Sequence, residues 1–217
     1  MQFKDRVDAG RQLAAKLSKY AGRQDVLVLG LPRGGVPVAA EVARALDAPF
    51  DIFLVRKLGV PGHPELAMGA LAEGGVEVLS DHLIRDLGIP ELAVQQVAVR
   101  ERLELDRRDA LYRQGRSRPP IQGRVVIVVD DGLATGASMQ AAVLALKKLG
   151  PSRVVVAVPV GAMETCERLR QEADEVVCAV TPEPFQAVGL WYQQFDQTTD
   201  EEVRQLLTTL QWIAPRA

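Results

Sequence analysis

The chain has few of the residues that bind metals or form disulfides. Only two of its 217 residues are cysteine and two are histidine. Cys166 and Cys178 have neither the density of a disulfide framework nor the spacing of a metal site, and the histidines do not complete a ligand set. The sequence therefore predicts reduced thiols in a cytoplasmic protein.

The chain also lacks a strong net charge and long apolar runs. Lys and Arg number 26 against 28 Asp and Glu, which gives a net charge of −2. No overall basic field is present to recruit nucleic acid, so small anions must be captured by local loops. No apolar run has the length of a membrane span, and the charged N-terminus is not typical of a signal peptide.

Three common motifs are missing. There is no Walker A pattern with its lysine and no Gly-x-Gly-x-x-Gly after a strand, which argues against two classes of nucleotide site. There is no Gly-x-Ser-x-Gly elbow, which argues against an α/β hydrolase.

The most informative stretch runs from Val125 to Ser138, Val-Val-Ile-Val-Val-Asp-Asp-Gly-Leu-Ala-Thr-Gly-Ala-Ser. Five β-branched residues followed by a turn signal predict a strand buried on both faces of a parallel sheet. Asp130 and Asp131 end this strand, and small residues lead into a predicted helix, Met139 to Leu149. A loop that opens a helix presents free backbone N–H groups and the positive end of the helix dipole, so it favours an anion.

The two acids indicate what else the ligand carries. Carboxylates in front of a phosphate loop repel phosphate unless they bind another part of the ligand. They accept hydrogen bonds from a ribose diol and can hold Mg²⁺. The ligand implied is a sugar phosphate. The alternative is a strand-turn-helix in which Asp-Asp-Gly makes a turn and Thr or Ser caps the next helix.

This stretch closely resembles the signature of the type I phosphoribosyltransferases, which bind phosphoribosyl pyrophosphate (PRPP). The resemblance implies that Asp130 and Asp131 face the ribose hydroxyls, with Asp131 counted among the catalytic residues. It also implies a Mg²⁺ cofactor bound mainly through PRPP, with Asp130 or Asp131 as an open choice of protein ligand. The loop that would wrap the 5-phosphate comprises Ala134, Thr135, Gly136, Ala137 and Ser138.

A second loop, Leu31-Pro32-Arg33-Gly34-Gly35-Val36, also follows a predicted strand and opens a helix. Its glycines permit close backbone approach, and Arg33 offers a guanidinium suited to phosphate oxygens. It resembles the family's pyrophosphate loop, which implies that Arg33, Gly34 and Gly35 bind pyrophosphate. Taken alone, the pattern favours a glycine turn with a surface arginine, whereas together with the signature stretch it favours the pyrophosphate loop.

Arg56 and Lys57 resemble the Arg-Lys pair that opens the mobile catalytic loop of the orotate and adenine phosphoribosyltransferases. The resemblance implies catalytic, pyrophosphate-binding roles for both. We expect a loop without secondary structure from Arg56 to Leu66, because Gly and Pro interrupt it repeatedly. His63 in this loop is a candidate for contact with the leaving group or a functionless surface histidine, and His82 is interpreted as structural.

Strands alternate with helices along the chain, which predicts an α/β fold with a doubly wound, mainly parallel sheet flanked by helices. We expect one phosphoribosyltransferase-like domain over residues 1–217. Its core would span about 25–180, with a helical insertion at about 81–118 and a C-terminal tail at 181–217.

The insertion contains a predicted long helix, Glu91 to Arg118, with apolar positions on one side at Leu92, Val99, Leu103 and Ala110. From Arg100 to Arg118 there are seven Arg against four acids. Such a run is typical of a solvated helix face, and a partner or subunit surface is the alternative.

Four of the ten aromatic residues lie within eleven residues of the tail: Phe185, Trp191, Tyr192 and Phe195. Because flat heterocycles bind by stacking, Trp191 and Tyr192, with Val160 nearby, are candidates for the wall of a base pocket. The alternative is that these aromatics pin the tail to the core or form a subunit contact. A final helix, Asp200 to Leu210, is predicted to be capped by Thr198 or Thr199.

The sequence thus predicts a Mg²⁺-dependent phosphoribosyltransferase that uses PRPP or a nucleoside monophosphate and a base acceptor it does not identify. A PRPP- or nucleotide-sensing regulator with the same fold is the alternative, with the arginine-rich helix as its nucleic-acid or partner surface. The sequence argues against a membrane and against nucleic acid as partners, and it leaves homo-oligomerisation open.

Overall fold

A computed structural model describes residues 2–210, in which strands and helices alternate. The strands are β1 (Val26–Gly30), β2 (Phe50–Ile52), β3 (Val55–Val60), β4 (His63–Ala72), β5 (Val76–Leu79), β6 (Val125–Val129), β7 (Arg153–Val160) and β8 (Glu175–Val180). The helices are α1 (Arg6–Lys16), α2 (Gly35–Leu46), α3 (Asp81–Asp86), α4 (Glu91–Arg113), α5 (Ala137–Lys148), α6 (Met163–Arg170) and α7 (Asp200–Thr209).

The central sheet has five strands in the order β2-β1-β6-β7-β8. All four pairings within it are parallel. Chain order reverses next to β1, where β2 lies on one side and β6 on the other. This confirms the predicted α/β fold with a mainly parallel sheet, and places the loops after β1 and β6 side by side at the switch point.

Both faces of the sheet are buried at β6, as the β-branched signature run predicts. Along β6, Val125, Ile127 and Val129 face one hydrophobic cluster, with residues of α1, α2, α4 and α7. Val126 and Val128 face a second cluster, with residues of α5 and α6. Each fully buried side chain of this kind stabilises the fold by roughly 1.5–3 kcal/mol.

The outer helices begin at ordinary caps. Asp5 caps α1 by accepting the Asp8 N–H. Thr199 caps α7 in a reciprocal capping box with Glu202, as predicted. The final helix therefore starts at the predicted residue.

The prediction that residues 56–66 lack secondary structure is wrong. Strands β3 and β4 pair as an antiparallel hairpin across Pro61 and Gly62, and β5 completes a three-stranded sheet. The glycines and prolines are accommodated because the register shifts beside Gly59 and the turn lies at the exposed tip. Strands β4 and β5 pair antiparallel around the turn at Gly74 and Gly75.

The predicted orientation of the long helix is also wrong. The expected core positions Leu92, Val99 and Leu103 are 66%, 59% and 67% exposed, and Ala110 is exposed as well. The buried face of α4 is formed by other residues: Val94, Val97, Ala98, Glu101, Leu105, Tyr112 and Arg113. The helix ends at Arg113, five residues before the predicted end, with Gln114 in the left-handed conformation.

Arg113 explains why a charged position faces the core. Its guanidinium donates to Glu73 at 2.8 Å, to the Ile52 carbonyl at 3.0 Å and to Asp51. All three charged residues are at most 5% exposed. The network ties the end of α4 to β2 and to the turn after β4.

Over residues 2–210, no helix is long and apolar enough to cross a membrane.

Candidate functional site

Asp130 and Asp131 lie where β6 ends, at the edge of the sheet where β1 also ends. Burial raises the pKa of both carboxyls, and the Asp131 charge raises that of Asp130 further. Asp130 accepts the backbone N–H of Asp131 at 2.8 Å. Two half-buried acids side by side are costly in free energy unless a cation or a hydrogen-bond donor compensates them.

Part of that compensation comes from Arg6, which the sequence analysis did not identify. Its Nε and Nη2 donate to one oxygen of Asp131 at 2.9 and 2.8 Å. Its Nη1 donates to the Asp196 carbonyl at 2.6 Å, and its guanidinium lies 4.1 Å from the Phe195 ring centroid. The first helix and the C-terminal segment together position this carboxylate.

The glycine loop after β1 packs directly against the acid pair. A Cβ added to Gly34 would lie 2.0 Å from an Asp131 carboxylate oxygen, and one added to Gly35 would lie 2.6 Å from the Val129 carbonyl. The peptide between Pro32 and Arg33 is cis. Any larger residue at Gly34 would displace Asp131, so glycine is required here by close approach.

The predicted 5-phosphate loop is held from behind by α6. Thr165 donates its hydroxyl proton to the Ala134 carbonyl at 2.7 Å, and Arg168 donates to the Thr135 carbonyl. Gly136 adopts φ +72°, where side chains are strained, and starts α5. Ala134, Thr135 and Ser138 are exposed, so the concave side of the loop is open to a ligand.

Two cavities adjoin these loops. The larger, of about 660 Å³, lies between the β3–β4 hairpin, the first half of α4 and the loop residues Thr135, Ala137 and Ser138. The smaller, of about 130 Å³, is lined by Pro32, Arg56, Asp130 and Ser138 among others. Val55, Arg56 and Ser138 line both, so the cavities are neighbours.

Arg56 and Lys57 both line the larger cavity. Arg56 also lines the smaller cavity and is anchored by the buried carboxylate of Glu101 at 2.6 Å. Lys57 does not line the smaller cavity. His63 begins β4 opposite Val60 and does not line either cavity. His82 Nδ1 lies 2.8 Å from a carboxylate oxygen of Asp86 on exposed α3, and its structural role stays a prediction.

Arg33 points towards the last helix. Its Nη1 lies 3.8 Å from a carboxylate oxygen of Asp200, which also accepts the Tyr112 hydroxyl proton at 2.6 Å. The guanidinium is about one third exposed, so it is not committed to this partner. Its proposed pyrophosphate role stays a prediction.

The C-terminal aromatics form a packed cluster. The Tyr192 ring lies 5.4 Å from Phe3 and 4.9 Å from Phe195 between centroids, and its hydroxyl donates to the Asp131 carbonyl. Val160 is fully buried in the same cluster, while Trp191 is partly exposed. Packing accounts for the burial of Tyr192 and Val160. A base-binding role for any of these residues stays a prediction.

Comparisons with known proteins agree on one family. The family model for the phosphoribosyl transferase domain matches residues 2–194 of this chain. A Mycobacterium tuberculosis H37Rv protein, named provisionally as a phosphoribosyl transferase, is 51% identical over 201 residues. The alignment covers 93% of this chain but 45% of that protein, so this chain spans less than half the length of the curated relative.

Solved structures show a similar fold. The crystal structure of TT1426 from Thermus thermophilus is 47% identical in sequence, with a TM-score of 0.90 over 97% of this chain and 99% of that chain. A hypoxanthine-guanine phosphoribosyltransferase from Bacillus anthracis is similar in fold alone, with 11% identity and a TM-score of 0.50 over 85% of each chain.

Proposed function

The chain belongs to the phosphoribosyl transferase domain family, and from this premise we propose that it transfers a ribosyl 5-phosphate between PRPP and a nitrogenous base or related amine. Pyrophosphate is the leaving group in the forward direction. The observation that carries the proposal is the contact of the Gly34 loop with Asp131. It brings two loops of phosphate-binding type together on either side of an acid pair.

The division of roles follows from this arrangement. Asp130 and Asp131 accept hydrogen bonds from the ribose hydroxyls, and the loop from Ala134 to Ser138 takes the 5-phosphate on its free N–H groups. The loop at Arg33, Gly34 and Gly35 takes the pyrophosphate. We assign Arg56, which lines both cavities, to the pyrophosphate, and Lys57, which lines the larger cavity together with Thr135 and Ser138, to the phosphate groups of the ligand.

A Mg²⁺ ion fits the proposed site if the ligand supplies most of its oxygens. Within residues 2–210, no group of three or more His, Cys, Asp or Glu is placed to hold a metal. Mg²⁺ commonly uses one or two carboxylates and completes its shell with phosphate and water. Asp130 suits this role, because one of its oxygens accepts the Asp131 N–H and Asp131 itself is paired with Arg6. When bound, the ion would neutralise charge on the leaving pyrophosphate.

The protein's own contribution is positioning and electrostatics. As the bond from C1 of the ribose to the pyrophosphate oxygen breaks, positive charge develops on the sugar and negative charge on the leaving group. Arginine side chains stabilise the leaving group, the carboxylates hold the sugar, and the acceptor nitrogen forms the new bond to C1. We assign to the β3–β4 hairpin, which lines the larger cavity, the role of covering the ligand and excluding water, which would otherwise hydrolyse the sugar.

The alternative of a nucleic-acid-binding regulator has less support. It rests on the arginines of α4, and most of these are engaged by acids. Arg102 pairs with Glu77, Arg107 and Arg108 share Glu104, and Arg113 is buried with Asp51 and Glu73. The surface they present is therefore much less basic than the arginine count suggests.

The test is a thermal-shift panel of bases and amines with PRPP and Mg²⁺, followed by measurement of pyrophosphate release with each stabilising acceptor. A true ligand raises stability by RT ln(1 + [L]/Kd). PRPP should stabilise the protein, and at least one acceptor should give release. Absence of any PRPP-dependent stabilisation would exclude the proposed function, whereas stabilisation without release from any acceptor would favour the regulator.

A further inference from the structure

Helix α4 contributes an arginine to the smaller cavity that the motifs do not reveal. Arg108 lines this cavity together with Pro32, Arg56 and Asp130. It comes from the helix that the sequence analysis treated as an insertion with a solvated face. Its side chain is 31% exposed, half the value of 60% for its neighbour Arg107.

The hydrogen bonds of Arg108 leave one edge of its guanidinium available. Its Nε donates to Glu104 at 2.7 Å. Its two terminal nitrogens make no hydrogen bond to any residue in the described part of the chain. Glu104 also holds Arg107 through two nitrogens at 2.8 and 3.1 Å. Glu104 therefore fixes the position of Arg108 while the terminal nitrogens can still donate to a ligand.

An anionic ligand in the smaller cavity needs a cation at this position, because the cavity also contains the carboxylate of Asp130. Asp130 faces the same space and repels an approaching polyphosphate. Arg56 is largely committed to Glu101, to which its Nε and Nη2 donate at 2.8 and 2.6 Å. Arg33 lies on the Asp200 side of the glycine loop. Among the described residues, Arg108 is thus the cavity-lining cation with the most free donors.

We infer that Arg108 binds the pyrophosphate group, donating through its two terminal nitrogens to phosphate oxygens. The inference rests on the proposed function and assigns α4 a direct role in it. A planar guanidinium suits this task because two parallel N–H groups match two phosphate oxygens. The rigid helix and Glu104 hold it in place before the ligand arrives.

The experiment is calorimetric titration of inorganic pyrophosphate with Mg²⁺ into the wild type and three variants, Arg108→Ala, Arg108→Lys and Arg107→Ala. Arg107→Ala is the matched control. Arg107 carries the same charge as Arg108 and pairs with the same carboxylate, Glu104, but it lies outside the smaller cavity. Ribose 5-phosphate serves as a second probe, because it lacks the pyrophosphate group. Melting temperatures are recorded for all variants.

We expect Arg108→Ala to weaken pyrophosphate binding about tenfold or more, as for loss of charge-assisted hydrogen bonds. Arg108→Lys should restore part of the affinity, and Arg107→Ala should stay within about twofold of the wild type, as for an exposed ion pair. Ribose 5-phosphate binding should be the same in all four proteins. The KM for PRPP should rise with Arg108→Ala in parallel with the pyrophosphate Kd.

Equal pyrophosphate affinities for Arg108→Ala and Arg107→Ala would overturn the inference, as would a parallel loss of ribose 5-phosphate binding. Failure of the proposed function gives a different result. The wild-type protein would then bind pyrophosphate in an Arg108-dependent way, which supports the anion site. It would, however, release no pyrophosphate from PRPP with any acceptor.

Discussion

Arg6 holds the Asp131 carboxylate with two nitrogens across 125 positions of sequence. Both side chains are less than one fifth exposed. Asp131 therefore has a cation partner before any ligand binds, while Asp130 has none among residues 2–210. Because of this difference in partners, we expect the two acids to differ in their effects on stability and on function.

We predict that Arg6→Ala lowers the free energy of unfolding by about 1–3 kcal/mol, because it leaves a half-buried carboxylate without a charged hydrogen-bond partner. Urea denaturation measures the loss. Arg11→Ala is the matched control, since Arg11 lies on the same helix and pairs with Glu41 while its side chain is 70% exposed. That control should change stability by less than about 1 kcal/mol. Equal losses in the two variants would contradict the importance of the Arg6–Asp131 contact.

Asp130→Asn should stabilise the free protein and weaken PRPP binding at the same time. Burial raises the pKa of Asp130, so its ionised form is costly near neutral pH, and the amide removes that cost. The lost charge should weaken Mg²⁺-dependent PRPP binding. Thermal melting without ligand and calorimetric titration with PRPP measure the two effects. A variant that is less stable, or that binds PRPP as tightly as the wild type, would be inconsistent with the assigned role.

Glu73 should make the protein less stable as pH rises towards neutrality. Burial raises the pKa of its carboxyl from 4.5 to about 7, against the opposing effect of Arg113. The folded protein then keeps a proton that the unfolded chain has lost. The free energy of unfolding should therefore fall from about pH 4.5 to about pH 7 and level off above it. Glu73→Gln should reduce this slope, and the check is urea denaturation of both proteins across that range; identical profiles would refute it.

Tyr192→Ala should lower the free energy of unfolding by about 3 kcal/mol or more, because it empties a buried aromatic site. Tyr192→Phe keeps the ring and should lose much less. Trp191→Ala is the informative comparison, because Trp191 is partly exposed beside the same cluster. Loss of acceptor-dependent turnover in Trp191→Ala, with stability and PRPP binding intact, would support a base wall. Full turnover per folded molecule would assign Trp191 to packing.

PRPP should protect the tip of the β3–β4 hairpin from hydrogen exchange. The tip residues Pro61 and Gly62 are exposed, and the register shifts beside Gly59, so the free hairpin should open readily there. The tip also walls the larger cavity, so a bound ligand should hold it closed. Amides of β6 serve as the reference that does not change. High protection at the tip in the free protein would contradict a closing hairpin.

Local sequence patterns predicted the sheet and the two glycine-containing loops at its edge, because each is encoded in one short segment. The run Val125 to Val129 specifies a strand with two buried faces, and the structure has it in the centre of the sheet. The capping of α7 by Thr199 is equally local. These features need no knowledge of distant residues.

The sequence-based predictions were wrong where contacts with residues distant in the sequence determine the structure. In α4, apolar spacing indicated a core face at Leu92, Val99 and Leu103, but Glu101 and Arg113 are buried instead because they find charged partners on other elements. The β3–β4 hairpin was missed because the pairing of its two strands compensates for the Gly and Pro residues, which disfavour strands. Arg6 was missed because no motif connects it to Asp131, and Arg108 because no motif connects it to the loops whose cavity it lines.

The pairing of Phe3 with the segment after β8 has a consequence for the order of folding. The Phe3 N–H donates to the Trp191 carbonyl at 2.8 Å, and the Gln193 N–H donates to the Phe3 carbonyl at 2.8 Å. During synthesis, the strands and both glycine-containing loops emerge well before residues 191–196. Contacts of such high sequence separation form late. The partial chain on the ribosome thus carries an acid pair whose Asp131 carbonyl does not yet accept the hydrogen bond of Tyr192.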